Sequence, residues 1–493
     1  MKKILLLLFA FFSAVFSQNS PKINGFFVQP SLGYGVADYQ GNFKTQQDYD
    51  DWVKSMSDIG ATMLFYQWVC HYEENQNWFS DVYGGAASAD FCYYSPNLTQ
   101  ISGVSANSWM PAITAWTGEN VSPIERILEA GQKNNVKIWL GLYLNEKGQF
   151  NWWDAVNDNE INSQDSATFR YHVERSVDLA RDLVSRYSNH PALGGFYYPI
   201  EIANLGFEKR ENWDLLAYLL DSVSTEVHKL SGKRLAISPF FNTALTSASE
   251  WGEMWNYVLA NSEIDIIILQ DGVGVEPNIL TETNDLVSAF YRALKDACDN
   301  NRKSFWANSE LFTNNSGRRD IMEASPSSID KILLQLNTQA EFADTFVCFS
   351  YLSLDPYVTS TPFDDDYPLS KRVKLYNDYK EYYESIKDNT ISGTAINRKQ
   401  PRLDLQNYKI SVFGKNISVA NLQKPTPYLI VSPNGQVVLR GIAEKDALIR
   451  SPFTSTGIYI FMMMAAEQSA PYSQKIFIGN NTQSTVDYQL RSR

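Results

Sequence analysis

Residues 264–274 have the sequence IDIIILQDGVG, in which the apolar run 266–269 is followed by polar residues and a glycine-containing turn. Such runs are typical of strands in a parallel sheet that is covered on both faces, because neither side of the strand meets water. Seven more runs of this kind occur between residue 25 and residue 354. They are GFFVQP (25–30), TMLFYQWV (62–69), VKIWLGLYL (136–144), GGFYYPIEI (194–202), RLAISPFF (234–241), SFWANSELF (304–312) and TFVCFSYLSL (345–354).

Amphipathic segments with helical spacing of their apolar residues separate these runs. Trp52, Val53 and Met56 share one face of such a segment, and Pro123 stands at the start of another, where a helix tolerates proline. Eight strands that each precede a helix predict a (β/α)8 TIM barrel over residues 22–390, because this alternation builds a parallel sheet that eight units can close. A strand count wrong by one and a doubly wound open sheet are the alternatives.

The chain begins with the features of a signal peptide over residues 1–17. Lys2 and Lys3 precede an apolar run to Phe16, which is well short of the roughly 20 residues that a membrane-spanning helix needs. We therefore expect a protein that is secreted or exposed at the cell surface, with the periplasm as an alternative, and no insertion into a membrane. The net charge of −13 at pH 7 makes nucleic acid and anionic membranes poor candidates as partners.

The sequence contains four Cys and four His residues, with no CxxC or HExxH motif. We therefore predict no metal site built on thiolate or imidazole, and no cofactor. Cys70 and Cys92 flank a long polar loop, and whether they pair stays open. Cys298 and Cys348 lie in apolar segments, where a buried free thiol is the favoured interpretation.

The composition changes after about residue 390. Apolar and polar residues alternate there, and Asn434-Gly435 is a favourable two-residue hairpin turn. These features predict a small antiparallel β-sandwich over residues 395–480. The segments SPNGQVV, GIYIF and QKIFIG resemble parts of the C-terminal sorting domains of the type IX secretion system, which implies secretion machinery as a partner. A structural accessory module is the alternative.

In (β/α)8 barrels the active site lies at the carboxyl ends of the strands. The residues at these ends are rich in amides, carboxylates and aromatic rings, which can bind sugar hydroxyls and stack on sugar rings. Because alternate residues of a strand face opposite sides, we expect only some of the aromatic rings to contact a ligand. Asp271 is equally well explained as a turn former, since Asp-Gly is a turn signal. The predicted substrate-binding residues are Gln29, Gln67, Trp68, Tyr143, Tyr198, Gln270, Asp271, Trp306 and Asn308.

Two glutamates at strand ends are the candidate catalytic pair. Glu201 ends the fourth apolar run and Glu310 the seventh, so the two lie across the mouth of the predicted barrel. Glycoside hydrolysis needs two such carboxyl groups, one protonated and one ionised. We expect the apolar neighbours Ile200 and Ile202 to raise the pKa of Glu201, and the polar residues just before Glu310 to keep it ionised. A strand-end glutamate can instead pair with an arginine or cap a helix.

Seven sequence blocks, in order over residues 22–390, resemble a bacterial family of glycosidase-like barrels catalogued as a domain of unknown function. The positions of the two glutamates also resemble those of the retaining glycosidases with the acid/base on strand four and the nucleophile on strand seven. Ile200 replaces the Asn that usually precedes the acid/base in that clan. The seven blocks are GFFVQP, LFYQW, IWLGLY, GGFYYPIEI, ISPFF, ILQDGVG and FWANSELF.

This resemblance implies that Glu201 is the general acid/base and Glu310 the nucleophile of a secreted retaining glycosidase. The expected substrate is a neutral oligosaccharide or polysaccharide, and no cofactor is implied. A carbohydrate-binding barrel without catalysis, and an inverting glycosidase that uses the same carboxylates, are the alternatives.

Overall fold

The computed structural model divides the chain into two compact units, Met1–Ile391 and Ser392–Arg493. In the second unit it describes eight strands between residues 409 and 485. The predicted signal peptide lies outside the described residues. In the first unit the described residues are 20–30, 35–36, 43–73, 89–94, 121–144, 167–204, 206, 209–281, 283–316, 323–357 and 367–387.

Eight parallel strands of the first unit close into a barrel. Each strand pairs with the next one along the chain, and the last pairs with the first. This closed order confirms the predicted barrel, and the doubly wound open sheet is wrong. The strands are β1 (Gly25–Val28), β2 (Met63–Tyr66), β3 (Lys137–Gly141), β4 (Leu193–Tyr198), β5 (Leu235–Ile237), β6 (Ile266–Gln270), β7 (Ser304–Glu310) and β8 (Phe346–Phe349).

One α-helix follows each barrel strand in the described part of this unit. The helices are α1 (Gln46–Asp58), α2 (Pro123–Lys133), α3 (Ala167–Tyr187), α4 (Arg210–Ser231), α5 (Ala248–Ala260), α6 (Val287–Asn300), α7 (Ile329–Gln339) and α8 (Leu369–Ile386). Thr45 and Asp48 form a capping box at the start of α1, as Ser122 and Glu125 do at the start of α2. Such a cap contributes about 1 kcal/mol to helix stability. None of the described helices combines the length and the hydropathy that crossing a membrane requires.

Side chains that point into the barrel form an apolar plug. Strand alternation sends every second residue inward, where large side chains fill the closed interior. The rings of Phe65 and Trp139 stack with centroids 5.2 Å apart, and Trp306 lies edge-on to Trp139 at 5.8 Å. Gly195 leaves room for the Trp139 ring, because a Cβ at this position would lie 2.4 Å from it. The plug consists of Phe27, Phe65, Trp139, Tyr197, Ala236, Ile266, Ile268, Trp306 and Val347.

The outward face of the strands packs against the helices and forms a larger core. Leu64 and Ile138 of the strands are fully buried there, as are Trp52 of α1 and Trp255 of α5. Both faces of the strands are therefore removed from water. This burial accounts for the unbroken apolar runs of the sequence.

Short strands extend three of the loops at the carboxyl ends of the barrel. The strand Cys70–Glu73, after β2, pairs with Ala89–Cys92 and with Tyr143–Leu144 after β3. The strand Phe312–Asn314, directly after β7, pairs with Ala324–Pro326. Because they follow the ends of β2, β3 and β7, these strands add to the wall of the barrel mouth.

The second unit contains two antiparallel sheets of four strands each among its described residues. The strand Gln483–Thr485 pairs with Lys409–Phe413, so the unit extends past the predicted boundary at residue 480. The predicted turn Asn434-Gly435 lies outside the described residues, but Val431 and Val437 pair across it. The packing of the two sheets as a sandwich stays a prediction. The remaining strands are Asn416–Ala420, Thr426–Val431, Val437–Ala443, Ala447–Arg450, Gly457–Met463 and Tyr472–Ile478.

Candidate active site

A layer of polar side chains lies directly above the apolar plug, at the carboxyl ends of the strands. Gln67, Gln270 and Asn308 each follow a plug residue by two positions, so strand alternation directs them to the same interior. The amide of Asn308 donates to Ser238 Oγ at 3.1 Å, and Gln270 Nε2 donates to the Ser238 carbonyl at 2.9 Å. The structure therefore brings Gln270 and Asn308 together around Ser238.

Three polar atoms of this region are buried without a hydrogen-bond partner among the described residues. They are Gln67 Oε1, Asn308 Oδ1 and Trp68 Nε1. An unpaired buried donor or acceptor costs about 1–3 kcal/mol, so these atoms favour a ligand that supplies hydroxyl groups. Gln67 is 8% exposed and Asn308 is 1% exposed, which places both at the floor of the mouth.

Glu310 is the last residue of β7 and shares its inward face with Trp306 and Asn308. Its side chain is 4% exposed. Glu310 Oε2 accepts hydrogen bonds from the backbone N–H of Gly274 at 2.6 Å and of Val275 at 3.1 Å. A Cβ at residue 274 would lie 2.7 Å from this oxygen, so the loop after β6 needs glycine to approach so closely. The two N–H groups hold the carboxylate in one orientation.

Asp271 lies behind Glu310, facing α7, and is fully buried. Its Oδ1 accepts from the N–H of Val273 at 3.1 Å and of Glu310 at 3.3 Å. Its Oδ2 accepts from Gln335 Nε2 at 2.7 Å and from Gln339 Nε2 at 2.8 Å. The predicted contact of Asp271 with substrate is therefore wrong, because the residue before it faces the interior and Asp271 faces the helices. The bond to Val273 supports the alternative role as a turn former.

The two neighbouring carboxyl groups both hold protons more tightly than usual. Burial and then the charge of Asp271 raise the pKa of Glu310 to about 8, although two N–H groups and Lys331 act in the opposite direction. Burial also raises the pKa of Asp271 to about 6. Lys331 Nζ donates to the Val273 carbonyl at 2.9 Å and to Thr313 Oγ1 at 3.0 Å. The protonated form of Glu310 is therefore favoured at neutral pH.

The expectation that polar neighbours keep Glu310 ionised is wrong. The amide of Asn308 donates to Ser238, and the hydroxyl of Ser309 donates to Gln339 Oε1 at 2.7 Å. Ser309 points to the opposite face of the strand, and Asn308 lies one layer below the carboxylate. Neither donor is therefore used by Glu310.

Glu201 follows the end of β4 by three residues and is exposed, whereas Ile200 and Ile202 are buried. The expected burial of Glu201 is therefore wrong, because only its two apolar neighbours turn into the core. Burial raises the pKa of Tyr197, and the charge of Glu201 raises it further. This coupling puts the carboxylate near a residue of the plug. Glu201 thus lies on the β4 side of the mouth.

Tyr143 and Tyr198 are fully buried against α3. The Tyr198 hydroxyl and His172 Nδ1 form a hydrogen bond of 2.7 Å. The Tyr143 ring lies 5.6 Å from the His172 ring and 5.4 Å from Arg175 Cζ. Their predicted contact with substrate is therefore wrong. Tyr197, which lies outside the predicted set, faces the interior instead, and counting back from Glu201 in steps of two identifies it.

The remaining predicted residues differ in how far they reach the mouth. Trp306 belongs to the plug, where Trp139 and Phe65 pack against its ring, so it offers no open face to a sugar. Gln29 directly follows β1 and is half-buried. Trp68 directly follows Gln67 and is also half-buried, which makes it the aromatic side chain of the predicted set with the best access.

Several residues that shape the site were not predicted. Lys331, Gln335 and Gln339 reach it from α7, and Ser238 reaches it from the end of β5. They are distant in sequence from both glutamates, so no local pattern indicates their contacts. Within the described part of the chain, no three His, Cys, Asp or Glu side chains are grouped as metal ligands would be.

Residues 23–361 match the family described as Domain of unknown function (DUF4434). The chain belongs to this family. The match spans the eight barrel strands and confirms the resemblance to a family of that description. No curated protein matches the chain.

Solved structures similar to this DUF4434 chain include a proposed α-L-fucosidase from Bacteroides thetaiotaomicron. It is 17% identical with a TM-score of 0.50, over 74% of this chain and 96% of that one. A β-glucuronidase from Bacteroides uniformis is 10% identical with a TM-score of 0.39, over 93% of this chain and 46% of that one. An exo-β-1,4-mannosidase from Opitutaceae bacterium strain TAV5 is 9% identical with a TM-score of 0.43, over 78% of this chain and 64% of that one. The chain thus spans about half the length of the glucuronidase. At 17% identity, the first likeness concerns the barrel fold alone.

Proposed function

We propose that this protein is a retaining glycoside hydrolase that cleaves a neutral oligosaccharide or polysaccharide. The observation that carries the proposal is the carboxylate of Glu310, which ends β7 on the inward face with Oε2 bound by two backbone N–H groups. Glu201 stands after β4, on the other side of the polar layer. Two carboxyl groups on either side of a polar interior are what glycoside hydrolysis requires.

The proposed reaction proceeds in two steps. The ionised carboxylate of Glu310 attacks the anomeric carbon, while Glu201 gives its proton to the departing oxygen. Glu201 then takes a proton from water, and the water oxygen displaces Glu310 from the resulting glycosyl ester. The N–H groups on Oε2 orient the carboxylate and leave its other oxygen for the attack. Because the pKa of Glu310 is raised to about 8, this residue must release a proton before the first step.

The polar layer supports a neutral substrate. Gln67, Gln270 and Asn308 offer uncharged donors and acceptors, which suit sugar hydroxyls better than a sugar carboxylate. The nearby ammonium of Lys331 binds the Val273 carbonyl behind the site. Trp68 adds a half-exposed aromatic face on which a sugar ring can stack.

The test of this function uses the full chain and a panel of activated 2-deoxy-2-fluoro glycosides, which trap a glycosyl ester. We expect mass spectrometry to find the adduct on the peptide that contains Glu310. An adduct on Glu201 would instead make Glu201 the nucleophile and Glu310 the acid/base. Cleavage of ordinary glycosides with inversion at the anomeric carbon, followed by NMR, would replace the retaining mechanism by the inverting one.

A carbohydrate-binding barrel without catalysis is the second candidate. The near-complete burial of Glu310, with Oε2 already bound, favours it. In that case glycans would bind the full chain in calorimetry, but no new reducing ends would appear with the same glycans. New reducing ends that disappear in Glu310→Gln would exclude this candidate.

Export is proposed on the sequence features at both ends of the chain. Residues 1–17 would direct the protein out of the cytoplasm, and the unit over 395–480 would engage type IX secretion machinery. We expect the full chain at the cell surface or in the medium, and a chain that ends at residue 391 in the periplasm. If the shorter chain also reaches the medium, the second unit is an accessory module.

A further inference from the structure

We propose that Cys70 and Cys92 form a disulfide that joins the two paired strands Cys70–Glu73 and Ala89–Cys92. Cys70 begins the strand Cys70–Glu73, and Cys92 ends the strand Ala89–Cys92. The two residues lie directly opposite each other in this antiparallel pair. Both are fully buried, and the structure holds them as thiols.

The backbone hydrogen bonds identify the geometry of this pair. The neighbouring pair of opposite residues is Val69 and Tyr93, and the N–H of Tyr93 donates to the Val69 carbonyl at 2.9 Å. Hydrogen-bonded and non-hydrogen-bonded pairs alternate along an antiparallel ladder, so Cys70 and Cys92 form a non-hydrogen-bonded pair. In such pairs the Cα atoms lie about 4.5 Å apart, with their side chains on the same face. That spacing falls within the range of roughly 4.4–6.8 Å that disulfides accept.

The surroundings of Tyr94 provide a second observation. Burial is the main cause of its raised pKa, and the charges of Cys92 and Cys70 both raise the pKa further. Both cysteine side chains therefore lie within electrostatic range of the Tyr94 hydroxyl. This convergence agrees with two side chains that point to one side of the ladder.

Cys298 and Cys348 do not share this arrangement. Cys298 lies on α6 and Cys348 lies on β8, and both are buried. We therefore expect these two cysteines to stay as thiols in the same molecule. They serve as internal controls for the chemistry of the proposed pair.

The bond forms by thiol–disulfide exchange with the disulfide of a thiol oxidoreductase. The two thiols of the chain lose two protons and two electrons, and the partner's disulfide is reduced to two thiols. This step requires an oxidising compartment, as the proposed export would provide, but it does not depend on glycosidase activity. Because Cys70 lies three residues after Gln67, the bond would fix the chain next to the polar layer.

The experiment maps the cysteines of the full chain after treatment with oxidised glutathione. The protein is denatured with iodoacetamide, without reductant, and its peptides are analysed by mass spectrometry. We expect alkylated Cys298 and Cys348, and a cross-linked peptide that contains Cys70 and Cys92 and has lost two hydrogen atoms. Alkylation of Cys70 and Cys92, or a cross-link to either control cysteine, would overturn the proposal.

A thermal measurement tests the same bond without peptide mapping. Reductant should lower the Tm of the oxidised wild type by a few degrees, because the unfolded chain regains freedom. Cys298→Ala should keep this response and Cys70→Ser should lose it. An equal response in Cys70→Ser would contradict the proposal. Where Cys70→Ser does not fold, Cys92→Ser and the peptide map of the wild type decide.

Discussion

The carboxyl ends of β4 and β7 each place one glutamate at the mouth of the barrel, but the surroundings of the two side chains differ. After β4 the chain leaves the sheet before it reaches Glu201, whose side chain is exposed. Glu310 is still part of β7, is 4% exposed and accepts two backbone N–H groups from the loop after β6. Burial and then the charge of Asp271 raise the pKa of Glu310, whereas the two N–H groups of the loop lower it, so contacts from distant segments and not the residues beside Glu310 set its acidity.

The largest expected effect separates the two glutamates by their chemical roles. Glu310→Gln and Glu201→Gln should each lower turnover of neutral glycosides by about 10²–10⁴-fold or more, because a nucleophile or a proton donor is lost. With a dinitrophenyl leaving group, which departs without a proton, Glu201→Gln should still release dinitrophenol in a rapid first turnover. Glu310→Gln should release none. The measurement is the burst of dinitrophenol in stopped flow.

The control for this comparison is Glu263→Gln, an exposed glutamate just before β6, at the opposite end of the barrel. It should behave as the wild type in both assays. A burst in Glu310→Gln equal to that of the wild type would remove this residue from the first step.

The second effect is the pH dependence of kcat/KM. If Glu310 attacks as a carboxylate, only its ionised form reacts, and burial raises its pKa to about 8. For a dinitrophenyl glycoside, whose leaving group departs without a proton from Glu201, we therefore expect kcat/KM to rise about tenfold per pH unit below that value. A plateau that begins below pH 6 would contradict the proposed burial effect.

The third effect concerns the pH dependence of stability. Folding raises the pKa of Glu310 from its ordinary value of 4.5 to about 8, so the folded protein binds this proton more tightly. The resulting stabilisation is complete below pH 4.5 and is lost as the pH rises through 8. Glu310→Gln cannot ionise, so its Tm relative to the wild type should increase from pH 5 to pH 9. Glu201→Gln is the matched control and should change less, because its carboxylate is not buried; equal curves would contradict the comparison.

The smallest effect tests the hydrogen bonds that Asp271 makes behind Glu310. Asp271→Asn would turn an amide donor toward Gln335 or Gln339, which already donate to this position. We expect a loss of about 1–3 kcal/mol in the free energy of unfolding, measured in urea. Asp299→Asn, on the surface beside Lys295, should lose less than about 1 kcal/mol. If Asp271→Asn and Asp299→Asn lose the same free energy of unfolding, the buried hydrogen bonds of Asp271 do not stabilise the fold.

The strands and the two ends that carry the glutamates were predictable from the sequence. Apolar runs such as 266–269 indicate strands covered on both faces, and the order of strands and helices indicates a closed barrel. Gln67, Gln270 and Asn308 were also identified, because polar residues at strand ends are visible in the sequence. The direction of individual side chains was less predictable, as the buried Tyr198 shows.

The sequence by itself determined the barrel, its eight strands and the places where carboxylates and amides end them, because these follow from local hydrophobicity and strand–helix alternation. Only the tertiary structure decided that Glu310 is covered and Glu201 is exposed. The loop at Gly274 and the amides of α7 reach Glu310 from segments that are distant in the chain. Burial and hydrogen bonding depend on such contacts, and no local sequence pattern contains them.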